Sequence, residues 1–229
     1  MSERENILGR IREALRVAAP RPGLHDSKDH AGIIGKKPAG NFQQWLPSVG
    51  ETFAEQAEHF RARSVELKTD FQLVASVEEA QLVLRKIAGV ENWKRVATHN
   101  GGLTDELVSR LGLPVLNTSA GYDVNALEIC DAGITECDAL IAQTGSVIVT
   151  SRDSGGRALS VLPPHHVVLA RREQLVRDLS AGFELVQKKY APNYPSMISV
   201  VTGPSRTGDI ERILVLGAHG PKKLTVICW

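Results

Sequence analysis

A chain of 229 residues holds one full hydrophobic core with an appendage rather than two domains of equal size. With 42% hydrophobic and 23% charged residues, disorder over most of the length is excluded; 27 Lys plus Arg against 26 Asp plus Glu leave a net charge of +1, too small to draw a polyanion, so nucleic acid is not an expected partner. The three cysteines, Cys130, Cys137 and Cys228, form neither a CxxC pair nor a disulfide framework, and there is neither a signal-type leader nor a run of roughly 20 apolar residues, so the expectation is a cytoplasmic protein without a membrane partner.

Ser2 and Glu5 form a capping box, and Ile7, Leu8, Ile11, Leu15 and Ala18 recur at helical spacing, which predicts an amphipathic helix within residues 1–18. Residues 19–50 carry Pro20, Pro22, Gly23, Gly32, Gly35, Pro38, Gly40 and Pro47 without periodicity and read as an arm or linker. The body, residues 51–229, opens with a helix through Phe53, Ala57 and Phe60, then an extended segment from Val65 to Lys68. Ser76 and Glu79 cap a helix that passes Leu84 and Ile87 and stops at Gly89; Arg95 to Ala97 reads as a strand, Thr104 caps a helix ending at Gly112, and Pro114 to Leu116 reads as the next strand. This alternation predicts a mostly parallel sheet covered on both faces. Farther on, Asp138 to Ala142 and Ser146 to Thr150 are joined as a hairpin by Gln143-Thr144-Gly145, His166 to Ala170 is a strand, Arg172 to Leu179 a helix, and Met197 to Val201 and Leu224 to Cys228 are strands.

Five segments carry groups suited to chemistry. In Gly203-Pro204-Ser205-Arg206-Thr207-Gly208-Asp209-Ile210-Glu211, backbone N–H groups, a hydroxyl and a guanidinium converge ahead of an expected short helix from Thr207, an arrangement that suits a carboxylate or phosphate. A plain turn, with Arg206 paired to Asp209, accounts for the same residues. Ser154-Gly155-Gly156-Arg157 adds a second cation beside a close-approach backbone, without the spacing of a dinucleotide or P-loop motif. Pro163-Pro164-His165-His166 sets two imidazoles on opposite faces of a strand, so they do not share a metal, and His219 lies between glycines; each is a candidate acid or base or a structural histidine. Thr98-His99-Asn100-Gly101-Gly102 and Asn117-Thr118-Ser119-Ala120-Gly121 follow strands at the edge where open sheets place ligands.

Taken together, the run Gly133 to Ser146, the run Gly156 to His166, the loop Gly203 to Glu211 and the motif Gly217-Ala218-His219-Gly220-Pro221 resemble the lactate-utilisation (LUD) domain family, most closely its stand-alone C type, over roughly residues 50–229. The resemblance implies an α/β fold, an open twisted sheet with flanking helices like that of glucosamine-phosphate isomerase, ribose-phosphate isomerase and coenzyme A transferase. It also implies a role in oxidising L-lactate to pyruvate beside two partner proteins that carry iron–sulfur clusters. Three cysteines fall short of the four that hold a cluster, so no cofactor or metal is expected in this chain. Gln143 stands where the family often has an acid.

Within these motifs Thr144, Gly145, Gly156, Arg157, Ser205, Arg206, Thr207, Asp209 and Gly220 are the candidate anion-binding residues, with His166 or His219 taking the hydroxyl proton. The expected role is that of an accessory component binding a small carboxylate or phosphate. The alternative is an independent enzyme acting on a phosphorylated sugar or folate-type anion, as the fold relatives do, and a scaffold docked through the N-terminal stripe is a third reading.

Overall fold

The computed structural model describes Glu5, Gly9 and Glu13, and residues 48–229 apart from Asp153, residues 208–214 and Ala218. The chain divides into two units, residues 1–45 and 46–229. Glu5, Gly9 and Glu13 are helical, while the rest of the expected N-terminal helix, most of the 19–50 arm, and Asp209 lie outside the described residues.

Thr52 opens α1 (Phe53–Leu67) with a reciprocal capping box: its Oγ1 accepts the Glu55 N–H at 3.3 Å and Glu55 Oε2 accepts the Thr52 N–H at 3.0 Å. Buried Ala57, Phe60 and Ser64 recur at helical spacing, which carries the helix through Val65 to Leu67 and corrects the expected extended segment there. Lys68, left-handed at φ 62°, ends the helix, and β1 (Asp70–Leu73) follows. Ser76 caps α2 (Val77–Val90) as expected, but Gly89 lies inside that helix and Glu91 is its C-cap. After β2 (Val96–Thr98) comes α3 (Gly102–Val108), capped by Gly101 rather than by Thr104, then a 3-10 turn that ends at left-handed Gly112. Then follow β3 (Val115–Asn117), α4 (Val124–Glu128) and β4 (Ala132–Glu136), a strand that the sequence reading did not separate from its neighbours.

The hairpin β5 (Ala139–Ile141) and β6 (Ser146–Thr150) forms as expected around Gly145, whose φ of 66° suits glycine. Strand β7 (His165–Ala170) leads to a correction: in place of a helix over Arg172 to Leu179 there is a 3-10 turn, then β8 (Leu175–Val176) paired with β5, and then α5 (Leu179–Tyr190). Leu175 is buried in a strand pairing, and Asp178 caps α5 by accepting the Ala181 N–H at 2.9 Å, so the helix begins where the sequence reading ended it. β9 (Ile198–Val201) follows. β10 (Arg206–Thr207) pairs antiparallel with β11 (Val215–Leu216), so Thr207 is a strand residue and not the cap of a helix. β12 (Lys223–Cys228) ends the fold.

Six parallel strands run in the order β1-β12-β7-β4-β2-β3, and a second sheet runs β8-β5-β6-β9. On one face of the large sheet Val96, Ile134, Val167, Leu169 and Ile227 pack against α2 and α3. On the other, Val168, Ala170, Val226 and Cys228 pack against α1 and the small sheet, whose far face is covered by α5 through Val186 and Tyr190. Both faces are buried, as the run of helices and strands predicts. No described helix is long and apolar enough to cross a membrane.

Phe60 is fully buried with its ring 4.7 Å from that of Phe71, so Phe60→Ala is expected to cost about 3–5 kcal/mol, read as a lower urea midpoint with the same m-value. His165 and His166 stand on opposite faces of β7: His165 Nε2 meets Thr225 Oγ1 at 2.9 Å, and His166 Nε2 meets Thr135 Oγ1 at 2.9 Å. Burial lowers their pKa values to about 4 and about 3, with the adjacent His165 adding to the effect on His166. Because the unfolded imidazoles take up protons near pH 6.5, stability is full above that pH and falls as the pH drops toward these folded values. A His165→Gln/His166→Gln variant should show a flatter stability profile between pH 6.5 and about 4 than the wild type; parallel profiles would remove the histidines as the cause.

Candidate functional site

A sheet in which neighbouring connections leave in opposite directions opens a crevice at the carboxyl ends of its strands. Here β2 lies between β3 and β4; the chain leaves β2 through α3 on one face and returns to β4 through α4 on the other, where Leu127 packs with Ala97. The two loops that sequence places at this edge meet there. The Asn100 N–H donates to Ser119 Oγ at 2.7 Å, the Thr118 N–H donates to the Thr98 carbonyl at 2.8 Å, and Asn117 Nδ2 donates to Asn100 Oδ1.

The glycine loop 154–157 closes on the same rim. Thr118 Oγ1 lies 3.3 Å from the Gly155 carbonyl, and a Cβ on Gly155 would stand 2.8 Å from His99 Cβ, so glycine is required both by this contact and by its φ of 73°. Gly156 and the exposed Arg157 follow, and the Arg157 guanidinium has no partner among the described residues.

Under the rim, Glu136 joins β4 to the loop after β2. Its N–H donates to His99 Nε2 at 3.1 Å, while His99 Nδ1 lies 2.9 Å from the Asn100 carbonyl; with Nε2 accepting, the ring proton is assigned to Nδ1. Glu136 Oε1 accepts the Leu103 N–H at 2.7 Å and the Thr104 N–H at 3.2 Å, taking over the cap that Gly101 has no side chain to supply. A Cβ on Gly101 would collide with that carboxylate. Glu136 Oε2 makes no hydrogen bond among the described residues. The sequence reading did not single out Glu136, although an acid that closes the apolar run from Ala132 at a strand's carboxyl end was the available signal. Chemically, the rim offers a guanidinium, a hydroxyl, amides and a carboxylate.

The remaining candidates gather elsewhere. Thr144 Oγ1, Ser146 Oγ and Thr202 Oγ1 form a chain of hydroxyls 2.7 and 2.8 Å apart, and Gly145 abuts Arg63 and Leu67 in the last turn of α1. Arg206 Nη2 donates to the Leu67 carbonyl at the end of that helix, where carbonyls lack intrahelical donors. The Ser205 N–H donates to the Pro221 carbonyl at 2.9 Å, and Gly220 lies against Ser205. These loops lie at the amino-terminal edge, since the Lys222 N–H donates to Pro164 just ahead of β12 and β7. The expected clamp is therefore not assembled: Arg157 and Gly156 belong to the carboxyl edge, and Thr144, Gly145, Ser205, Arg206 and Gly220 to the other. His166 is buried against Thr135, apart from both groups, and His219 is exposed. All three cysteines are buried, and the described residues bring together no three His, Cys, Asp or Glu side chains able to hold a metal ion.

Known proteins share this sequence and architecture. A family model described as the LUD domain matches residues 124–228. A lactate utilization protein C from Geobacillus kaustophilus is 32% identical over 200 residues, covering 82% of this chain and 83% of the relative. Proteins of the same name from Anoxybacillus flavithermus and Deinococcus radiodurans are 32% and 36% identical over 146 and 118 residues, and the chain spans 65% and 55% of their lengths. A crystal structure of a DUF162 family protein from Deinococcus radiodurans superposes with a TM-score of 0.62 at 26% identity, covering 78% of this chain and 99% of that one. With four-fifths of a lactate utilization protein C matched at 32% identity on a shared open α/β sheet, the chain belongs to the LUD domain family, in its lactate utilization protein C group.

Proposed function

We propose that this chain serves lactate utilisation as an accessory component that binds a small carboxylate or phosphate at the carboxyl-edge rim, while electrons pass to two partner proteins that carry iron–sulfur clusters. The relatives' shared name supports the pathway. The observation that supports the site is Arg157, without a partner among the described residues, following the glycine loop that closes on the joined 98–102 and 117–121 loops at the switch point of the sheet.

In this reading Arg157 holds the carboxylate in a planar fork, Asn100 and Ser119 meet the neighbouring hydroxyl, and Glu136 Oε2 accepts the proton assigned above to His166 or His219. Oxidation of an α-hydroxy acid removes an electron pair along with its protons; the chain supplies binding and a proton acceptor, and the partners supply the electron acceptor. Arg206, on the Leu67 carbonyl, then braces the end of α1 instead of touching ligand.

Lactate-dependent dye reduction by the two iron–sulfur partners should require this chain. Arg157→Ala should lower the rate by roughly 10-fold or more, as expected for a lost charged contact worth about 1.5–3 kcal/mol, and Arg206→Ala should leave it within about twofold. Unchanged reduction without the chain would overturn the assignment, and a larger loss from Arg206→Ala than from Arg157→Ala would move the site to the other edge. Independently of activity, Glu136→Ala should cost about 1–3 kcal/mol in denaturant unfolding by leaving the first N–H groups of α3 without an acceptor, whereas Glu136→Gln, which keeps one, should cost less.

A further inference from the structure

At the amino-terminal edge, the second half of α2 and the starts of β1, β7 and β12 enclose a cavity of 460 Å³, within the range of small-molecule sites and several times larger than a three-carbon acid needs. Its floor is a polar chain across three strands. His165 Nε2 lies 2.9 Å from Thr225 Oγ1, which donates to Asp70 Oδ2 at 3.5 Å. With the threonine hydrogen directed to the carboxylate, the hydroxyl accepts from Nε2–H, and His165 Nδ1 is left as a bare lone pair. That atom is buried and has no partner among the described residues, while His165 as a whole is 5% exposed and lines the cavity. That atom is closed off from the cavity, so the ring enters the floor through its other atoms, and burial keeps it neutral at physiological pH.

One wall is apolar: Val83, Ile87 and Val90 of α2 face Pro204, and Val90 remains 75% exposed at the mouth. Lys68, Lys86 and Lys222 rim the opening with no described partner for their ammonium groups. Lys223 is tied to both oxygens of Glu91 at 2.6 Å, which leaves Asp70 as the carboxylate set against three unpaired cations. Ammonium groups on flexible stems act as point charges and suit the spherical distribution of phosphate oxygens, in contrast to the planar fork that Arg157 presents at the other edge.

We propose that this cavity is a second binding site, for an organic phosphate the size of a nucleoside monophosphate, with its phosphate on Lys68, Lys86 and Lys222 and its apolar body against Val83, Ile87 and Val90. The site is independent of the carboxyl-edge rim and involves no covalent step. A carboxylate small enough for the rim leaves the apolar wall unused, and so does inorganic phosphate.

Trp93 reports on the floor directly, since its ring stands edge-on to that of His165 at 5.3 Å. The full chain would be titrated with AMP, GMP, CMP and UMP, following tryptophan fluorescence. At least one monophosphate should give saturable binding, at least 10-fold tighter than both its free nucleoside and inorganic phosphate. The exposed charge reversals Lys86→Glu and Lys222→Glu together should weaken that binding at least 10-fold without changing the unfolding midpoint by more than a few degrees. Absence of saturable binding by all four, affinity matched by inorganic phosphate or by the free nucleoside, or affinity unchanged in the charge-reversed variant would each overturn the assignment.

Discussion

The placement of β12 governs everything else in this fold. The last strand lies between β1 and β7, pairing Thr225 with Asp70 across 155 residues of sequence on one side and with Val167 on the other. Until those pairings form, β1 has no place in the large sheet, α1 and α2 lack part of the surface they cover, and the floor of the lysine-rimmed cavity does not exist. Parallel pairing over so long a separation carries a large loop-closure entropy and is held by what it buries: Val226 and Cys228 on one face, Ile227 on the other, all without solvent contact. In β1 the cavity-lining Asp70 and Gln72 flank Phe71, which enters the core, because successive residues of a strand point to opposite faces.

A second constraint acts at the opposite edge. Glu136 receives two N–H groups at the start of α3 on its carboxylate and gives its own N–H to His99, so one residue fixes the spacing between β4, the loop after β2 and the first turn of the helix. Buried polar groups in such a network are costly when half-satisfied, and here His99 is satisfied at both nitrogens. The outcome is a rigid underside below an exposed rim. Arg157, Asn100 and Ser119 stand on that underside, which suits a site whose ligand must be oriented rather than merely attracted.

Much of the scaffold was legible from sequence for physical reasons that act locally. Ser76 ahead of Glu79 marked the start of α2, and Gly145 marked a hairpin whose turn needs a positive φ. The alternation of short apolar runs with amphipathic segments gave the parallel sheet. β4 was obscured because Ala132–Glu136 holds a glycine, a threonine and an acid, and its pattern is set by neighbours on both faces rather than by its own hydrophobicity. α5 was displaced in the reading because β8, two residues long, is stabilised by pairing with β5 and not by propensity. Gly182 inside α5 likewise follows from tertiary packing, since a Cβ there would crowd Ile141 and Ile148 of the small sheet. For the site, proximity of the 98–102 and 117–121 loops was legible because both follow adjacent parallel strands. The separation of Arg157 from Arg206 was not, because which edge a loop occupies depends on strand order and direction.

The two edges of the sheet end up with different chemistry, and the strand register explains why. At the carboxyl ends of β2 and β4 the chain turns into the first residues of α3 and into Glu136, so the groups on offer are backbone N–H, amide, hydroxyl and a bidentate cation, all suited to a small planar anion. At the amino ends of β1, β7 and β12 the same sheet presents the C-terminal half of α2, the negative end of the helix dipole, closed by Glu91 and by the N–H groups of Glu91, Asn92 and Trp93 on the Ile87, Gly89 and Ala88 carbonyls. Left to itself that end repels anions, and Lys223 meets Glu91 directly while Lys68, Lys86 and Lys222 exceed what the neutralisation of Asp70 requires. Positive charge near a helix C-terminus favours the fold, but three ammonium groups set against one carboxylate repel one another, and that cost falls when a phosphate ester enters the cavity and lays its apolar body on the α2 wall.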